Sequence, residues 1–463
     1  MGNRTRRVGP VDNIWLTMDR PENLMVIEGV MFLEAQPDWD VVLGVLEDRV
    51  LAAYPVFTQR RVPSHVPGSL PSWQDDPDFD LQHHIHRTRL PAPGDDAVLQ
   101  SYIDEHLSRP LDPTRPLWEM HFVDGHAGGS VLFCRFHHAM ADGIALTRVL
   151  LSLTDDSAAG APVHTRPAPA GREGERGEHR DAVPGLLLSA AGLAVEGVEQ
   201  ALTLARPSGV MRTIGLGFST ARTVAGLLLT QTPKSELTGT PTGQKRVLWT
   251  SAVPLPSLKL LGRLAGATLN DVLLAAVAGA LHRYQKEQGS EPRDLVTMVP
   301  VNVRPLDEPL PPELGNRFTL VLFSFPSGTA GALARLAETH RRMDRIKTSP
   351  QALVTYGLIH GIGAVPSPVQ RPAVDFFADK AIGVTTNVMG PQTPRTMAGV
   401  PVTGVLGWVP GSGRHSLGVC IFTYDGTVRI GLLADTGVVA EPDLLLRWLE
   451  EELATFVALA GRT

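Results

Sequence analysis

Two adjacent histidines, His137 and His138, end an apolar run (VLFCRFHH), and an Asp-Gly pair, Asp142 and Gly143, follows four residues later. Imidazole and carboxylate groups at this spacing are compatible with general acid–base catalysis, with metal binding, or with a plain turn from a strand into a helix. The surrounding elements decide among these three possibilities.

The side-chain alternation of a strand separates the two histidines. In a strand over 131–138, His137 shares one face with Arg135, whereas His138 shares the other face with Cys134 and Phe136. An imidazole on an apolar face is disfavoured from carrying a charge, and its neutral form is a base. The predicted surroundings of His138 would therefore suit a general base, and His137 is expected on the opposite face.

Asp142 has a simpler alternative role, because it stands where a helix N-cap is needed before GIALTRVLLSLT. A histidine at a strand end is also commonly a structural residue. Metal binding by His137 and His138 is disfavoured because the two side chains diverge, whereas HExxH sites place their histidines at i and i+4 of a helix. We expect no metal at this motif.

A second histidine group, HHIHR at 83–87, places His84 and His86 on one face of a strand. Neither a cysteine nor another evident third ligand lies nearby in the sequence. A surface or hydrogen-bonding role is therefore favoured over metal binding, and we expect neither a metal nor a bound cofactor.

A compositional break divides the chain into two halves. Residues 155–185 are rich in Ala, Pro, Gly and charged residues, which is typical of a flexible linker. The linker is followed by two apolar, proline-free segments at 186–205 and 209–232, predicted to be helices. We therefore expect domains at 1–154 and 246–463, joined by residues 155–245.

Both halves mix strand and helix patterns. The first half, expected to be α/β or α+β, contains the strands LMVIEGVMFLE and SVLFCRFHH and the helix AVLQSYIDEHLSR. The second is expected to be α/β, with the strands LVTMVPVNV, FTLVLFSFP, IGVTTNVMG, HSLGVCIFTYDG and TVRIGLLAD, and with the helices LNDVLLAAVAGALHRYQKEQG and EPDLLLRWLEEELATFVALA.

Bulk properties exclude several classes of protein. A net charge of -6 without a Lys/Arg block argues against nucleic-acid binding. Cys134 and Cys420 cannot build a disulfide framework, and the N-terminus has no apolar core of a secretory signal, so a cytoplasmic location is expected. Arg212 and Arg222 interrupt the second apolar helix, which predicts a packed or interfacial helix and not a membrane span.

The complete pattern HHxxxDG occurs with several further motifs. They are VDNIWLTMDRPENLMVIEGVMFLE, WQDDPDFDLQHHIHRTRLP and PLDPTRPLWEMHFVDG in the first half, and TLNDVLLAAVAGALHRY, MVPVNVR, LGNRFTLVLFSFP, TTNVMGP and YDGTVRIGLLAD in the second. In these motifs the chain resembles the bacterial wax ester synthase/acyl-CoA:diacylglycerol acyltransferase family of the HHxxxDG acyltransferase superfamily. The resemblance covers nearly the whole chain apart from the linker.

The resemblance implies a fold and a set of roles. Two chloramphenicol-acetyltransferase-like α/β domains would form a pseudo-dimer with the active-site tunnel between them. His138 would take the proton of an acceptor hydroxyl, which then attacks the thioester of acyl-CoA without an acyl-enzyme. Asp142 would hold the loop by pairing with an arginine, for which Arg304 is the candidate. His137 and Gly143 would support this geometry, Gly143 by letting the backbone pass close to its neighbours.

Further positions match family motifs more loosely. Trp118 and Glu119 of PLWE would brace the strand that leads to the site, although Trp118 is equally explained as a core residue. Asn270 and Asp271 open a helix, so capping competes with a role in shaping the site. Asn387 of TTNVMGP matches a family asparagine.

The implied activity is transfer of a long-chain acyl group from acyl-CoA, as co-substrate, to diacylglycerol or a fatty alcohol. Two alternatives stay open: a related acyltransferase that uses a secondary-metabolite alcohol or a carrier-bound acyl donor, and a non-catalytic superfamily member. The water-insoluble acceptors imply association with a membrane or lipid-droplet surface. The apolar segments at 186–205 and 209–232, with Arg206, Arg212 and Arg222, are the predicted contact, and packing against the domains is the alternative.

Overall fold

The strands of the protein form two large sheets. A computed structural model describes residues 4–66, 69–157, 230, 232–304, 308–365 and 367–461, and within them the strands build two seven-stranded sheets and one three-stranded sheet. The greater part of the predicted linker and of the two predicted apolar helices lies outside the described residues.

The N-terminal sheet contains most of the strands of the first half. In spatial order its strands are β5 (Ile85–Arg89), β6 (Trp118–His126), β7 (Gly129–His137), β2 (Val26–Leu33), β15 (Val400–Trp408), β14 (Arg395–Met397) and β8 (Asp155–Asp156). The β5–β6 pair is parallel and the other pairs are antiparallel.

The C-terminal sheet follows the order β10 (Val253–Pro254), β17 (Thr427–Asp435), β16 (Leu417–Tyr424), β13 (Gly383–Met389), β11 (Leu295–Asn302) and β12 (Phe318–Phe325), and β9 (Lys245–Trp249) also pairs with β17. The small sheet orders β1 (Thr5–Arg7), β4 (Ser72–Asp75) and β3 (Gln59–Val62). The strands predicted from alternating and apolar runs are confirmed.

The helices described in the structure are α1 (Pro10–Met18), α2 (Trp39–Leu46), α3 (Asp96–Leu107), α4 (Gly143–Leu151), α5 (Leu255–Leu264), α6 (Leu269–Glu287), α7 (Ala332–Lys347), α8 (Gln351–Ala364), α9 (Ser367–Ala378) and α10 (Pro442–Ala460), with short helical turns at Glu47–Leu51, Pro55–Thr58 and Leu81–His83. The helices quoted from the sequence correspond to α3, α4, α6 and α10.

One strand pairing crosses the predicted domain division. Strand β15 comes from the C-terminal half of the chain, yet it pairs along β2 of the N-terminal sheet, with Leu406 opposite Val30 and Trp408 opposite Glu28. The N-terminal sheet therefore contains strands from both halves of the chain. Because backbone hydrogen bonds join the two halves, they cannot separate without breaking a sheet.

Helix α6 is apolar on nearly all sides and is correspondingly buried. Thr268 caps it, since its hydroxyl accepts from the Asp271 backbone and the Asp271 carboxylate accepts from the Thr268 backbone. Its flanks pack against α10 and α7. Among the described residues, no single helix is long and apolar enough to cross a membrane; α5 and α6 meet the criterion only together, across a 99° bend.

Candidate active site

Strand β7 presents the two histidines to different surroundings. The strand ends at His137, and the backbone N–H of His138, the next residue, donates to the Met25 carbonyl at 2.7 Å. The His138 side chain lines a large cavity together with that of Phe136. The His137 side chain is buried and approaches Asp19.

His138 is held between two halves of the chain. Its ring stacks on Trp15 of α1, with ring centroids 3.9 Å apart and planes inclined by 17°. Its backbone carbonyl accepts a 2.8 Å hydrogen bond from Asn316 Nδ2. These contacts fix the backbone and one ring face, while the ring remains part of the cavity wall.

The surroundings of His138 keep it neutral. Burial lowers its pKa to about 4, opposed by its own backbone carbonyl and by Asn316 and supported by the nearby His137. Some surface of the ring remains accessible because it faces the cavity, although protein atoms enclose the residue. A neutral imidazole has a free lone pair and can therefore accept a proton.

The contacts of His137 are those of a structural residue. Its Nδ1 accepts from the backbone N–H of Ala139 at 3.0 Å, which assigns the ring proton to Nε2, 3.7 Å from Asp19 Oδ2. Burial alone would raise the pKa of Asp19, but hydrogen bonding by His137 and by the Met25 backbone contributes to a net lowering of the pKa. Asp19 Oδ1 also accepts from the Met25 backbone at 2.8 Å, so this pair organises the chain segment that His138 contacts.

Asp142 caps α4 and also reaches the second half of the chain. Its Oδ1 accepts from the Ala145 backbone at 2.9 Å and its Oδ2 from the Arg317 backbone at 3.0 Å. Burial raises its pKa, against the hydrogen bonds and the charge of Arg304. Arg304 Nη2 lies 3.9 Å from Asp142 Oδ2 and approaches the carbonyls of Leu314 and Gly315 at 3.4 and 3.3 Å.

The backbone of Gly143 does not pass close to its neighbours, contrary to the expectation from the sequence. A Cβ built at Gly143 would have no atom within 4 Å, and the residue lines the cavity. Close backbone approach is therefore not what requires glycine here. The missing side chain instead leaves open space at the wall of the cavity that His138 also lines.

The segment 314–317 of the second half docks directly on the HHxxxDG loop. Asn316 donates to Asp12 Oδ1 through both its backbone N–H, at 2.9 Å, and its side chain, at 2.8 Å. The Gly315 N–H donates to the Met140 carbonyl at 3.2 Å, and Gly315 has a φ of 77°, which favours glycine. Asp12, Trp15 and Asn316 were not predicted as site residues from the sequence, although the motifs VDNIW and LGNRF, quoted for the family resemblance, contain them.

The cavity lies between the two large sheets and opens to solvent. Its walls are mostly apolar and come from α1, α4, β2, β7 and β15 on one side and from α8, α9, β11, β12, β13 and β16 on the other. Such a space suits a long hydrocarbon chain better than a polar substrate.

Trp118 and Glu119 lie outside this cavity. Trp118 is buried, donates from Nε1 to the Phe57 carbonyl at 2.8 Å and stacks on His84, with ring centroids 4.5 Å apart. Glu119 accepts from Arg135 Nη1 at 3.0 Å. Trp118 is thus a core residue, and neither side chain can touch a molecule in the cavity.

Asn270 and Asn387 are brought together by the second half of the chain. Asn387 lines the cavity and donates from Nδ2 to Asn270 Oδ1 at 3.1 Å. Asp271 is buried, caps α6 and accepts from His340 Nδ1 at 2.9 Å, so it belongs to the helix and not to the cavity wall. Of this group, Asn387 alone lines the cavity.

Neither cysteine has the properties of a nucleophile. Cys134 is buried in the sheet, and Cys420 lines the cavity. Burial raises the pKa of the Cys134 thiol far above its ordinary value and that of Cys420 to about 12. Thiols in such surroundings stay protonated and unreactive near pH 7.

Comparisons of sequence match almost the whole chain to one family. A model of the wax ester synthase/diacylglycerol acyltransferase catalytic domain matches residues 8–273, and a model of the C-terminal domain of the same family matches residues 314–456. A Mycobacterium tuberculosis protein described as a probable diacylglycerol O-acyltransferase is 30% identical over 95% of this chain and 91% of its own length. The O-acyltransferase WSD of Acinetobacter baylyi is 25% identical over 99% and 98%, respectively.

Solved structures share the fold. The wax ester synthase/diacylglycerol acyltransferase of Marinobacter aquaeolei superposes with a TM-score of 0.67 at 22% identity, covering 98% of this chain and 99% of that one. The first condensation domain of the calcium-dependent antibiotic synthetase reaches a TM-score of 0.60 at 17% identity, with coverage of 98% and 96%.

Proposed function

Because this chain belongs to the wax ester synthase/diacylglycerol acyltransferase family, and is therefore an O-acyltransferase, we propose that it transfers a long-chain acyl group from acyl-CoA to diacylglycerol or a fatty alcohol. The observation that carries this proposal is His138, a neutral imidazole at the wall of a mostly apolar cavity. The products would be a triacylglycerol or a wax ester, with CoA released.

His138 is the proposed general base. The imidazole lone pair takes the proton of the acceptor hydroxyl as its oxygen attacks the thioester carbonyl, and a tetrahedral intermediate forms. The intermediate collapses with cleavage of the carbon–sulfur bond, and the imidazolium returns the proton to the departing CoA sulfur. A pKa of about 4 leaves the ring unprotonated and ready for the first step at neutral pH.

Direct transfer is favoured over an acyl-enzyme by the side chains of the cavity. The Cys420 thiol, which lines the cavity, stays protonated, and no hydrogen bond from its sulfur to a base is present among the described residues. A covalent route needs an activated nucleophile beside a base. The acceptor alcohol itself is therefore the proposed nucleophile.

Asp142, Arg304 and Asn316 are proposed to position the base, without contact with the moving proton. The turn that contains His138 is joined to residues 316 and 317 by the hydrogen bonds of Asn316 to the His138 carbonyl and of the Arg317 backbone to Asp142. Trp15 stacks on the ring and excludes water from one face. Asn387 contributes a polar group to an otherwise apolar wall and is proposed to contact the ester region of a substrate.

We propose that the protein acts at a lipid surface, because diacylglycerol and fatty alcohols partition out of water. The predicted contact at 186–205 and 209–232 lies almost entirely outside the described residues, so this part rests on substrate chemistry and on the apolar sequence. We propose peripheral association with a membrane or lipid droplet.

The test of the proposed function is a product assay. Purified protein is offered palmitoyl-CoA with a diacylglycerol, a series of fatty alcohols or no acceptor, and products are separated by chromatography while CoA thiol release is followed. We expect an ester in at least one acceptor reaction and little thiol release without acceptor. Thiol release that is independent of acceptor, with no ester formed, would contradict the proposal.

A further inference from the structure

Three side chains with metal-ligand chemistry meet at the edge of the N-terminal sheet. Strand β5 is the edge strand and pairs in parallel with β6, with His86 directly opposite His121. Glu119 precedes His121 by two residues and therefore points to the same face. None of the three side chains lines the cavity, so this cluster is separate from the proposed active site.

Their spacing is close to that of ligands around one ion. Donor atoms of His86, Glu119 and His121 all lie within 4.8 Å of one another, and His121 Nε2 is 3.7 Å from Glu119 Oε2. In a tetrahedral zinc site with bonds of 2.0–2.1 Å to nitrogen and oxygen, two ligand atoms are about 3.4 Å apart. Small side-chain rotations would therefore close the cluster around an ion.

A buried polar atom without a partner points into this cluster. The side chain of His121 is only 2% exposed, and its Nε2 has no hydrogen-bond partner among the described residues. Buried polar atoms are nearly always hydrogen-bonded, so an orphaned imidazole nitrogen requires an explanation. Its other nitrogen, Nδ1, is occupied by the Tyr102 hydroxyl at 2.7 Å.

The surrounding groups hold the ligands as an outer layer around an ion would. With Nε2 on a metal, His121 Nδ1–H donates to the Tyr102 hydroxyl, which fixes the ring orientation. Arg135 donates to Glu119 at 3.0 Å, and a carboxylate has enough lone pairs to accept this bond and also bind an ion.

We propose that His86, Glu119 and His121 bind a divalent transition-metal ion of the Zn²⁺ type, with solvent completing its coordination. Two imidazole nitrogens and one carboxylate oxygen form a donor set that zinc accepts. His86 is exposed and gives the ion an entry route. The ion would cross-link the edge strand β5 to β6, because His86 lies on β5 and the other two ligands lie on β6.

The expectation that HHIHR binds no metal rested on the lack of a third ligand close to it in the sequence. His84 does not join such a site, because its Nδ1 hydrogen-bonds to the Trp118 carbonyl at 2.8 Å and its ring stacks on Trp118. His86 instead gains Glu119 and His121 from a strand that follows more than thirty residues later. The third ligand was thus absent from the local sequence but present in the fold.

The proposal is tested with the metal alone. Untagged, metal-stripped protein is titrated with Zn²⁺ against a chromophoric chelator, and the melting temperature (Tm) is recorded with and without Zn²⁺. We expect a Kd of about 1 µM or tighter and a Zn²⁺-dependent rise in Tm on the order of 5 °C. His86→Ala should weaken binding at least about tenfold and abolish the Tm rise, while the metal-free variant melts like the metal-free parent because His86 is exposed.

His83→Ala is the matched control, since His83 is an exposed neighbour outside the cluster, with 48% of its side chain accessible. This variant should bind Zn²⁺ like the parent protein. Absence of saturable binding in the parent, unchanged affinity in His86→Ala, or an equal loss in His83→Ala would each overturn the proposal. Acyl transfer is not measured, so failure here leaves the proposed function unaffected.

Discussion

Trp15 and His138 stack face to face, with ring centroids 3.9 Å apart, so an indole from the first helix covers one face of the proposed base. The indole Nε1 is buried and has no hydrogen-bond partner among the described residues. Trp15 therefore contacts His138 by stacking on its ring, and we expect this cover to exclude water from that face and so to favour the neutral imidazole.

The pH dependence of the rate should reflect this stacking. A base works while unprotonated, so a pKa of about 4 for His138 predicts that kcat/KM falls only as the pH approaches 4. Trp15→Ala should admit water, raise the pKa toward the ordinary value of about 6.5 and move the acidic limb to higher pH. The measurement is kcat/KM from about pH 4.5 to 8. Trp15→Phe, which can still stack, should keep the parent profile; a profile unchanged in both variants would show that Trp15 does not set this pKa.

Replacement of the two histidines should separate chemistry from structure. His138→Ala should lower kcat by roughly 10²- to 10⁴-fold, the usual contribution of positioned proton transfer, with little change in Tm. His137→Ala leaves the buried Ala139 N–H without its acceptor, so it should cost about 1–3 kcal/mol of stability and reduce kcat less. Steady-state kinetics and thermal melts distinguish them. The assignment of the base would fail if His137→Ala were the more damaging to kcat and His138→Ala stayed near the parent rate.

The pairing of Asp142 with Arg304 can be tested by a double-mutant cycle. Both residues are buried, and removal of either partner should cost on the order of 3–5 kcal/mol, since a buried charge remains. We expect a coupling energy of about 1 kcal/mol or more from chemical denaturation. The exposed pair Asp40 and Arg87 is the control and should couple by less than about 1 kcal/mol. Additive effects at Asp142 and Arg304 would reduce Asp142 to a helix cap.

Gly143→Ala should affect the cavity and not the fold. The added methyl group meets no protein atom within 4 Å, so Tm should stay unchanged or rise slightly. It would occupy space at the wall of the cavity that His138 lines, and kcat/KM for a long-chain substrate should fall by roughly tenfold or more. Gly44→Ala, at an exposed position of α2 with equally open space, is the control and should leave kcat/KM unchanged. Equal activity of the two variants would show that no substrate atom approaches Gly143.

Association with lipid can be tested in the segment 209–232. If this segment contacts a membrane, Leu227→Glu combined with Leu228→Glu should weaken co-sedimentation with liposomes and leave Tm nearly unchanged. A packed helix predicts a large loss of Tm instead. Unchanged liposome binding by a well-folded double variant would exclude this segment as the anchor.

Local patterns in the sequence determined much of this protein. The alternation in VLFCRFHH correctly separated His137 from His138, because side chains of a strand point to opposite faces whatever the sheet pairs with. The spacing of Asp142 before an apolar run predicted the cap of α4, since the cap uses backbone groups only three residues away. The resemblance to a known family, carried by motifs along the chain, supplied the two-domain fold and the acyltransferase class.

The tertiary structure alone decided which distant residues complete each site. Asn316 reaches the carbonyl of His138 across 178 residues of chain, β15 crosses into the N-terminal sheet, and Glu119 and His121 meet His86 through strand pairing. No local periodicity encodes these meetings, because each depends on how two sheets dock or on the register of strands far apart in sequence. The surroundings of Gly143 likewise depend on tertiary structure, because its local sequence is compatible both with a close backbone approach and with open space in a cavity.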